Sequence, residues 1–262
     1  YSKLIFMGLG ISTKITKFLY QRKFHKNKLQ LDIKNKNILI TGGNSGIGLA
    51  LTKNLLALNN KVISTYREDG QNLIAINDIN LSIIKLDQSD INNFNDFEKK
   101  IEDAAIDIIF NCAGDFGGSF EEQEVENIDF NKFQKVLMVN AISILNIIKI
   151  ILNKKKNKSK LELIVNISGM AGSIYHNKDG NAYIYRTSKS ALNSITKNLS
   201  IDLNKKFGTT VFAIHPDNTK SGMNPGGYIE TDNCAKLIID LITTKSELNG
   251  KFVNLLGEEI FW

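Results

Sequence analysis

The sequence predicts an α/β fold, a single domain built on a doubly wound, seven-stranded parallel sheet. Three observations carry that expectation. Apolar runs rich in Ile, Leu and Val alternate with helical patterns from Asn37 onward, as βαβ units require when helices cover both faces of a parallel sheet. The first run, Asn37-Ile38-Leu39-Ile40-Thr41, stops at a cluster of small residues and passes into a helical pattern carried by Leu49, Leu51, Leu55, Leu56 and Leu58. At 262 residues, 42% hydrophobic and 23% charged, the chain has the size and make-up of one ordinary domain with ample core.

Residues 1–35 are expected to form a basic N-terminal extension and residues 36–262 the folded domain. Lys3, Lys14, Lys17, Arg22, Lys23, Lys26 and Lys28 lie in the first 28 residues, with no acid among them. Removing these seven positive charges from the net +6 leaves −1 for the remainder. A near-neutral body argues against a nucleic-acid-binding surface. The apolar stretch Leu4–Ile11 is too short to span a bilayer, and no small-residue cleavage site of the A-x-A type follows it. Phe18, Leu19 and Phe24 among basic residues could lie as an amphipathic helix on an anionic membrane. A surface-packed extension is the preferred expectation. Cys112 and Cys234 make no disulfide framework, and His25, His176 and His215 are scattered. No metal site is therefore expected, and the compartment is expected to be reducing and cytoplasmic.

Strands are expected over 37–41, 61–66, 81–86, 106–111, 161–167, 209–214 and 251–255. Helices are expected over 46–58, 90–103, 129–153, 184–206 and 231–244. The run Lys154-Lys155-Lys156-Asn157-Lys158 reads as a solvated loop. Between the first strand and helix, Gly42 would let the chain turn tightly. Gly46 would let backbone approach a pyrophosphate, and Gly48 would let helix pack close on strand. A helix N-terminus placed there offers unpaired N–H groups and the positive end of its dipole, which suits a phosphate.

The second strand ends at Tyr66 with Arg67 behind it, where NAD sites usually carry an acid. A guanidinium there would pair with a 2′-phosphate, which favours NADP(H) over NAD(H), with Glu68 and Asp69 weighing against it. Asp87 ends the third strand and either accepts from an adenine amino group or caps a turn. Asn111-Cys112-Ala113-Gly114 closes the fourth strand with small residues, as backbone bordering a bound cofactor requires. Cys112 reads as a small buried residue and not a nucleophile.

The chemistry is expected from Ser168, Tyr185 and Lys189. Tyr185 and Lys189 are four apart in a helical stretch and share one face. An ammonium beside a phenol favours the phenolate and would draw the phenol down from about 10 toward neutrality. Tyr185 would then serve as proton donor to a carbonyl oxygen or acceptor from an alcohol. Ser168 ends the fifth strand, at the sheet edge where ligands bind. His176, in the Ser-to-Tyr loop, is read either as a substrate contact or as an ordinary loop histidine.

Thr41-Gly42-x-x-x-Gly46-x-Gly48, Asn111-Cys112-Ala113-Gly114, Ser168 and Tyr185-x-x-x-Lys189 together resemble the short-chain dehydrogenase/reductase family. The resemblance covers roughly residues 36–262, and the stretch around Tyr185 with Trp262 is similar to the carbonyl-reductase and C-factor-like branch. It implies a Rossmann fold and a tetrad of Asn140, Ser168, Tyr185 and Lys189. Asn140 would hold a water in a proton relay to Lys189, and Lys189 would also bind the nicotinamide ribose. The cofactor would be lined by Gly42, Asn44, Ser45, Gly46, Ile47, Gly48, Arg67, Asp87, Asn111, Ala113, Gly114, Tyr185, Lys189, Pro216 and Ser221. The implied activity is hydride transfer between nicotinamide and a small carbonyl or secondary alcohol. The implied assembly is a homodimer or homotetramer through helices 129–153 and 184–206.

One departure stands out. In His215-Pro216-Asp217-Asn218, Asp217 takes the place of a glycine whose backbone would lie near the nicotinamide, and it adds a negative charge there. The rival reading is a catalytically weak dinucleotide-binding sensor or signalling protein, which the basic leader could place at a membrane.

Overall fold

The computed structural model describes residues 31–101, 104–154 and 161–262. The membrane-contact expectation for residues 1–30 lies outside them, as does most of the Lys154–Lys158 run. In chain order the elements are β1 (Asn37–Thr41), α1 (Gly46–Leu56), β2 (Lys61–Tyr66), α2 (Gln71–Ile74), β3 (Leu81–Lys85), α3 (Phe94–Lys100) and β4 (Ile108–Asn111). There follow α4 (Phe130–Leu137), α5 (Ser143–Asn153), β5 (Leu163–Ile167), α6 (Tyr183–Phe207), β6 (Thr210–Ile214), α7 (Thr231–Thr244) and β7 (Phe252–Val253).

Among the described residues, seven strands form one sheet in the order β3-β2-β1-β4-β5-β6-β7, each pair parallel. The winding reverses between β1 and β4, where Thr41 pairs with Asn111. The turns that follow these strands therefore part at one place on the carboxyl edge, where open α/β sheets bind ligands.

Side-chain alternation explains the two helical layers. Ile38, Ile40, Ile108, Phe110, Val165, Phe212 and Ile214 face one layer with Leu51 and Leu55 of α1 and Ile238 and Leu241 of α7. Leu39, Ile109, Ile164 and Val211 face the other, with Phe97 of α3, Ile144, Ile147 and Ile151 of α5, and Leu192 and Leu203 of α6. Strands buried on both faces read as continuous apolar runs. Full burial of each Leu, Ile or Phe contributes about 1.5–3 kcal/mol. The span Phe130–Asn153 is long and apolar enough to cross a membrane, yet Ile144, Ile147, Ile148, Ile150 and Ile151 are buried in the core on this sheet.

The short helix α2 is not expected from the sequence, and three of the expected elements take a different form. The helix expected over 129–153 is interrupted by a π-helical turn at Met138–Ile142. There Asn140 Nδ2 donates to the Asp115 carbonyl at 2.8 Å, and Asn140 Oδ1 accepts from the Asp115 N–H at 2.8 Å. This tertiary pair holds Asn140 in the widened turn, which is how single π turns mark functional positions. The helix expected from residue 90 opens instead as a 3₁₀ turn, Ile91–Asn93, because Asp90 accepts from the Asn92 N–H at 2.9 Å. The strand expected over 251–255 pairs only at Phe252–Val253. Beyond it the Leu255 N–H is taken by the Asp217 carboxylate at 3.2 Å and the Asn254 N–H by the Glu258 carbonyl at 3.0 Å.

A buried polar chain ties the sheet to α6. Asn111 Nδ2 donates to Asn166 Oδ1 at 2.6 Å, Asn166 Nδ2 donates to Thr196 Oγ1 at 2.8 Å, and Thr196 donates to the Leu192 carbonyl at 2.7 Å. Asn166→Ala removes two of these bonds and leaves Asn111 and Thr196 without their partner. Urea unfolding should show a loss of about 2–4 kcal/mol. A loss within the range of ordinary surface substitutions would mean the chain carries no stability.

Candidate active site

The turn after β1 is built for close backbone contact. Gly42 sits at φ 65°, and a Cβ there would lie 2.7 Å from Ala113 Cα. A Cβ on Gly48 would lie 2.4 Å from the Gly42 carbonyl oxygen. Thr41 Oγ1 accepts from the N–H groups of both Cys112 and Ala113 at 3.1 Å, locking the β4 turn beside the β1 turn. At the start of α1 Ser45 makes no side-chain cap, and no acid lies in the first turn. The leading N–H groups of that helix have no competing carboxylate, so the cradle fits a phosphate.

From this turn a cleft of about 820 Å³ runs across the carboxyl edge of the sheet. It brings together Gly42, Asn44, Ser45, Gly46, Ile47, Gly48, Arg67, Asp87, Ala113, Gly114, Ser168, Tyr185, Lys189, Pro216 and Ser221. Two expected site residues stand apart from that lining. Asn111 is buried, and its amide donates to Asn166, so it holds the sheet and does not line the cleft. Asn140 is also fully buried, one layer behind the cleft. Its amide hydrogens go to the Asp115 carbonyl and to Ser188 Oγ, each at 2.8 Å. The side chain therefore clamps the loop after β4.

His176 does not reach the cleft. Its ring lies 5.0 Å from Tyr175 and 6.4 Å from Phe261, in an aromatic cluster on the Ser-to-Tyr loop. Asp87 accepts from the Ser89 N–H at 2.9 Å and the Ser89 hydroxyl at 2.8 Å, so it caps its turn while also lining the cleft. Arg67 Nε lies 2.9 Å from a Glu68 carboxylate oxygen, and Nη1 lies 3.9 Å from Asp115.

Ser168, Tyr185 and Lys189 meet at the far end. The Ser168 hydroxyl donates to Asn193 Oδ1 at 2.7 Å, and Asn193 Nδ2 donates to the Gly172 carbonyl at 3.1 Å. A Cβ on Gly169 would lie 3.4 Å from the Tyr185 hydroxyl, which places that hydroxyl beside the Ser168 turn. Lys189 Nζ donates to the Ile167 carbonyl at 2.9 Å and sits 5.7 Å from the centre of the Tyr185 ring. Phe116, Phe120, Met170 and Met223 also line the cleft, and the Phe116 ring lies 4.8 Å from that of Tyr185. Sequence reasoning missed these four. They follow no period, and only their nearness to Gly114, Ser168 and Ser221 in the chain could have drawn attention to them.

The electrostatics correct one expectation. Burial pushes the Tyr185 phenol up to about 12, opposite to the expected pull toward neutrality. Burial also pushes the Lys189 ammonium down to about 8. Desolvation outweighs the attraction because the lysine's own charge is costly in the same place. The Cys112 thiol is held above its ordinary range, chiefly by burial, as a non-nucleophile would be.

Asp217 also differs from the expectation of a bare charge beside the nicotinamide. Its backbone lies at φ 48°, the left-handed region that a glycine supplies without cost and that Asp tolerates. Its carboxylate accepts from the Leu255 N–H and lies 3.9 Å from His215 Nε2. The residue thus fastens the loop after β6 to the segment after β7.

A doubly wound sheet with a glycine-turn phosphate cradle and a Ser–Tyr–Lys cluster at the same edge defines a dinucleotide-dependent oxidoreductase. The family model described as short chain dehydrogenase matches residues 36–228. The chain belongs to that family, whose members interconvert CH–OH and C=O with NAD(P). It is 26% identical over 207 residues to the NADP-dependent (R)-specific alcohol dehydrogenase of Lentilactobacillus kefiri, covering 76% of this chain and 75% of that one. It is 26% identical over 159 residues to the C-signal of Myxococcus xanthus, covering 60% of this chain and 93% of that one. Among solved structures, the carbonyl reductase Sniffer of D. melanogaster is 29% identical with a TM-score of 0.72, over 87% of this chain and 100% of that one. The NADPH-bound carbonyl reductase from chicken fatty liver is 26% identical with a TM-score of 0.74, over 92% and 98%.

His215, which lines the cleft, generates a prediction of its own. Burial pushes its imidazole down to about 4, and Nδ1 has no hydrogen-bond partner. The unfolded histidine takes its proton near pH 6.5. Between the two values the unfolded chain binds more protons, so acid favours unfolding. Stability should fall as pH drops from 6.5 toward 4, and His215→Gln should flatten that fall by about 1–3 kcal/mol in urea titrations at each pH. An unchanged slope would remove His215 from the acid response.

Proposed function

We propose that the chain is a carbonyl reductase or secondary-alcohol dehydrogenase that favours NADP(H), with Tyr185 as its acid/base. The observation that carries this reading is the convergence of Ser168, Tyr185 and Lys189 on the same cleft as the glycine cradle. When bound, the nicotinamide supplies or takes the hydride, and the residues around it do the rest. With its phenol near 12, Tyr185 is protonated at neutral pH. It is thereby ready to donate to a carbonyl oxygen. Lys189, 5.7 Å from the ring, stabilises the phenolate left behind. Ser168, anchored through Asn193, orients the substrate oxygen beside the Tyr185 hydroxyl. Asn140 acts at one remove, by clamping Asp115 and the loop that carries Phe116.

Phe116, Phe120, Met170 and Met223 line the same cleft as the acid, which supports a small, uncharged carbonyl or alcohol as substrate. Arg67 at the β2 end supports NADP(H), since a guanidinium holds a 2′-phosphate better than an exposed carboxylate partner. The NADP-dependent alcohol dehydrogenase and the NADPH-bound reductase among its relatives support the same choice. Similarity to a C-signal protein lends the sensor reading one observation. The assembled acid/base cluster favours chemistry.

Tyr185→Phe is the test. The variant should keep NADPH affinity within about twofold in a fluorescence titration and lose at least about a hundredfold in kcat on a panel of aldehydes and ketones. Turnover retained by the variant would refute the assigned acid.

A further inference from the structure

We propose that Gln123 is the positioning residue for Tyr185, holding the proton donor and its aromatic cover, Phe116, in one fixed relation. This rests on the reading of Tyr185 as the acid. Gln123 lies in the 3₁₀ turn Glu121–Gln123, in a stretch otherwise crowded with exposed acids, yet it is itself fully buried. A buried amide between Glu122 and Glu124 needs partners, and its two are both at the site. Gln123 Oε1 accepts from the Tyr185 backbone N–H at 2.9 Å. Gln123 Nε2 donates to the Phe116 carbonyl at 2.9 Å.

The first of these bonds answers a local deficit. Helix α6 begins at Tyr183, and the residue before it, Ala182, has no side chain to cap the helix and sits in the left-handed region at φ 50°. Asn181 before it is left-handed too, at φ 53°. Two such residues in succession are strained and need holding from outside. Tyr185 is the third residue of the helix, and its N–H is one of those left without an intrahelical partner. Gln123 supplies from 62 residues away the acceptor that Ser, Thr or Asp supplies at an ordinary cap.

The second bond sets the cover. Phe116 follows the β4 turn and precedes Gly117 and Gly118, at φ 89° and 103°, so the loop beyond it has little stiffness of its own. Tying its carbonyl to the same amide that holds Tyr185 fixes the Phe116 ring 4.8 Å from the phenol ring. Phe116 also lines the cleft. Gln123 thereby sets both how dry the proton donor is and how wide the substrate end of the cleft stands, without touching substrate.

The test compares full-length wild type with Gln123→Leu and Gln123→Glu, each with and without Tyr185→Phe. Four quantities are read: exchange of the Tyr185 amide, phenol titration by ultraviolet difference, kcat and the NADPH Kd. The Tyr185→Phe background isolates this phenol, while the charged groups of the packed elements, Lys189, Asp115 and Glu122, stay in place. In Gln123→Leu the Tyr185 amide should exchange at least about tenfold faster and the phenol should titrate lower, toward its ordinary value. There kcat should fall about tenfold or more while the NADPH Kd moves less than about threefold. In Gln123→Glu a protonated carboxyl can accept and donate as the amide does. This variant should work at low pH and lose kcat as its carboxyl ionises, again at constant NADPH Kd. If Gln123→Leu does not fold, that pH-dependent loss decides alone. Wild-type exchange, titration and kcat in Gln123→Leu would overturn the proposal, as would a Gln123→Glu profile identical to wild type. If wild type reduces no carbonyl while the exchange and titration still respond to Gln123, the enzyme reading fails and the anchoring stands.

Discussion

Everything at the carboxyl edge depends on how closely two backbones approach between β1 and β4. Gly42 leaves no room for a side chain against Ala113, and Thr41 holds the Cys112 and Ala113 amides at 3.1 Å. That contact fixes the floor of the cleft. It also sets where α1 starts, because Gly48 is pressed against the Gly42 carbonyl. The first residues of that helix then line the cleft. A side chain added at any of these points would move the cradle relative to β4, and with it the loop that carries Phe116.

The chemical end is held by a different kind of constraint, a set of buried amides. Asn193 holds Ser168, Asn140 holds Asp115, Asn166 joins the sheet to α6, and Gln123 holds Tyr185 and Phe116. Buried amides are costly when unpaired and directional when paired. They fix the geometry of a serine, a tyrosine and a lysine that come from β5 and α6, elements that apolar packing alone would leave free to slide. Burial has an electrostatic consequence as well. It keeps the tyrosine neutral and weakens the lysine's hold on its proton.

Much of this was legible in the sequence, for identifiable reasons. The Ile- and Leu-rich runs gave the strands because buried parallel strands carry no polar alternation. Gly42 and Gly48 marked the cradle because a side chain at either would run into neighbouring backbone, and Tyr185 and Lys189 share a face because four residues make one helical turn. What escaped reading was tertiary. Asn111 looks like a cofactor neighbour from its place in the chain, but its partner, Asn166, is 55 residues away. Asn140 sits in a π turn that no periodicity announces. Asp217 reads as a stray charge until the Leu255 N–H is seen to need it. The direction of the Tyr185 shift failed for the same reason, since desolvation belongs to the packed structure and not to the Tyr-x-x-x-Lys spacing.

The most direct test of this account is calorimetric titration of the full-length chain with NADPH and with NADH. One-to-one binding of NADPH, tighter than that of NADH, is the result the cradle and Arg67 predict. Binding of neither dinucleotide would contradict the account at its foundation, because the glycine turn would then be a packing device and the Ser168–Tyr185–Lys189 cluster would have no hydride partner.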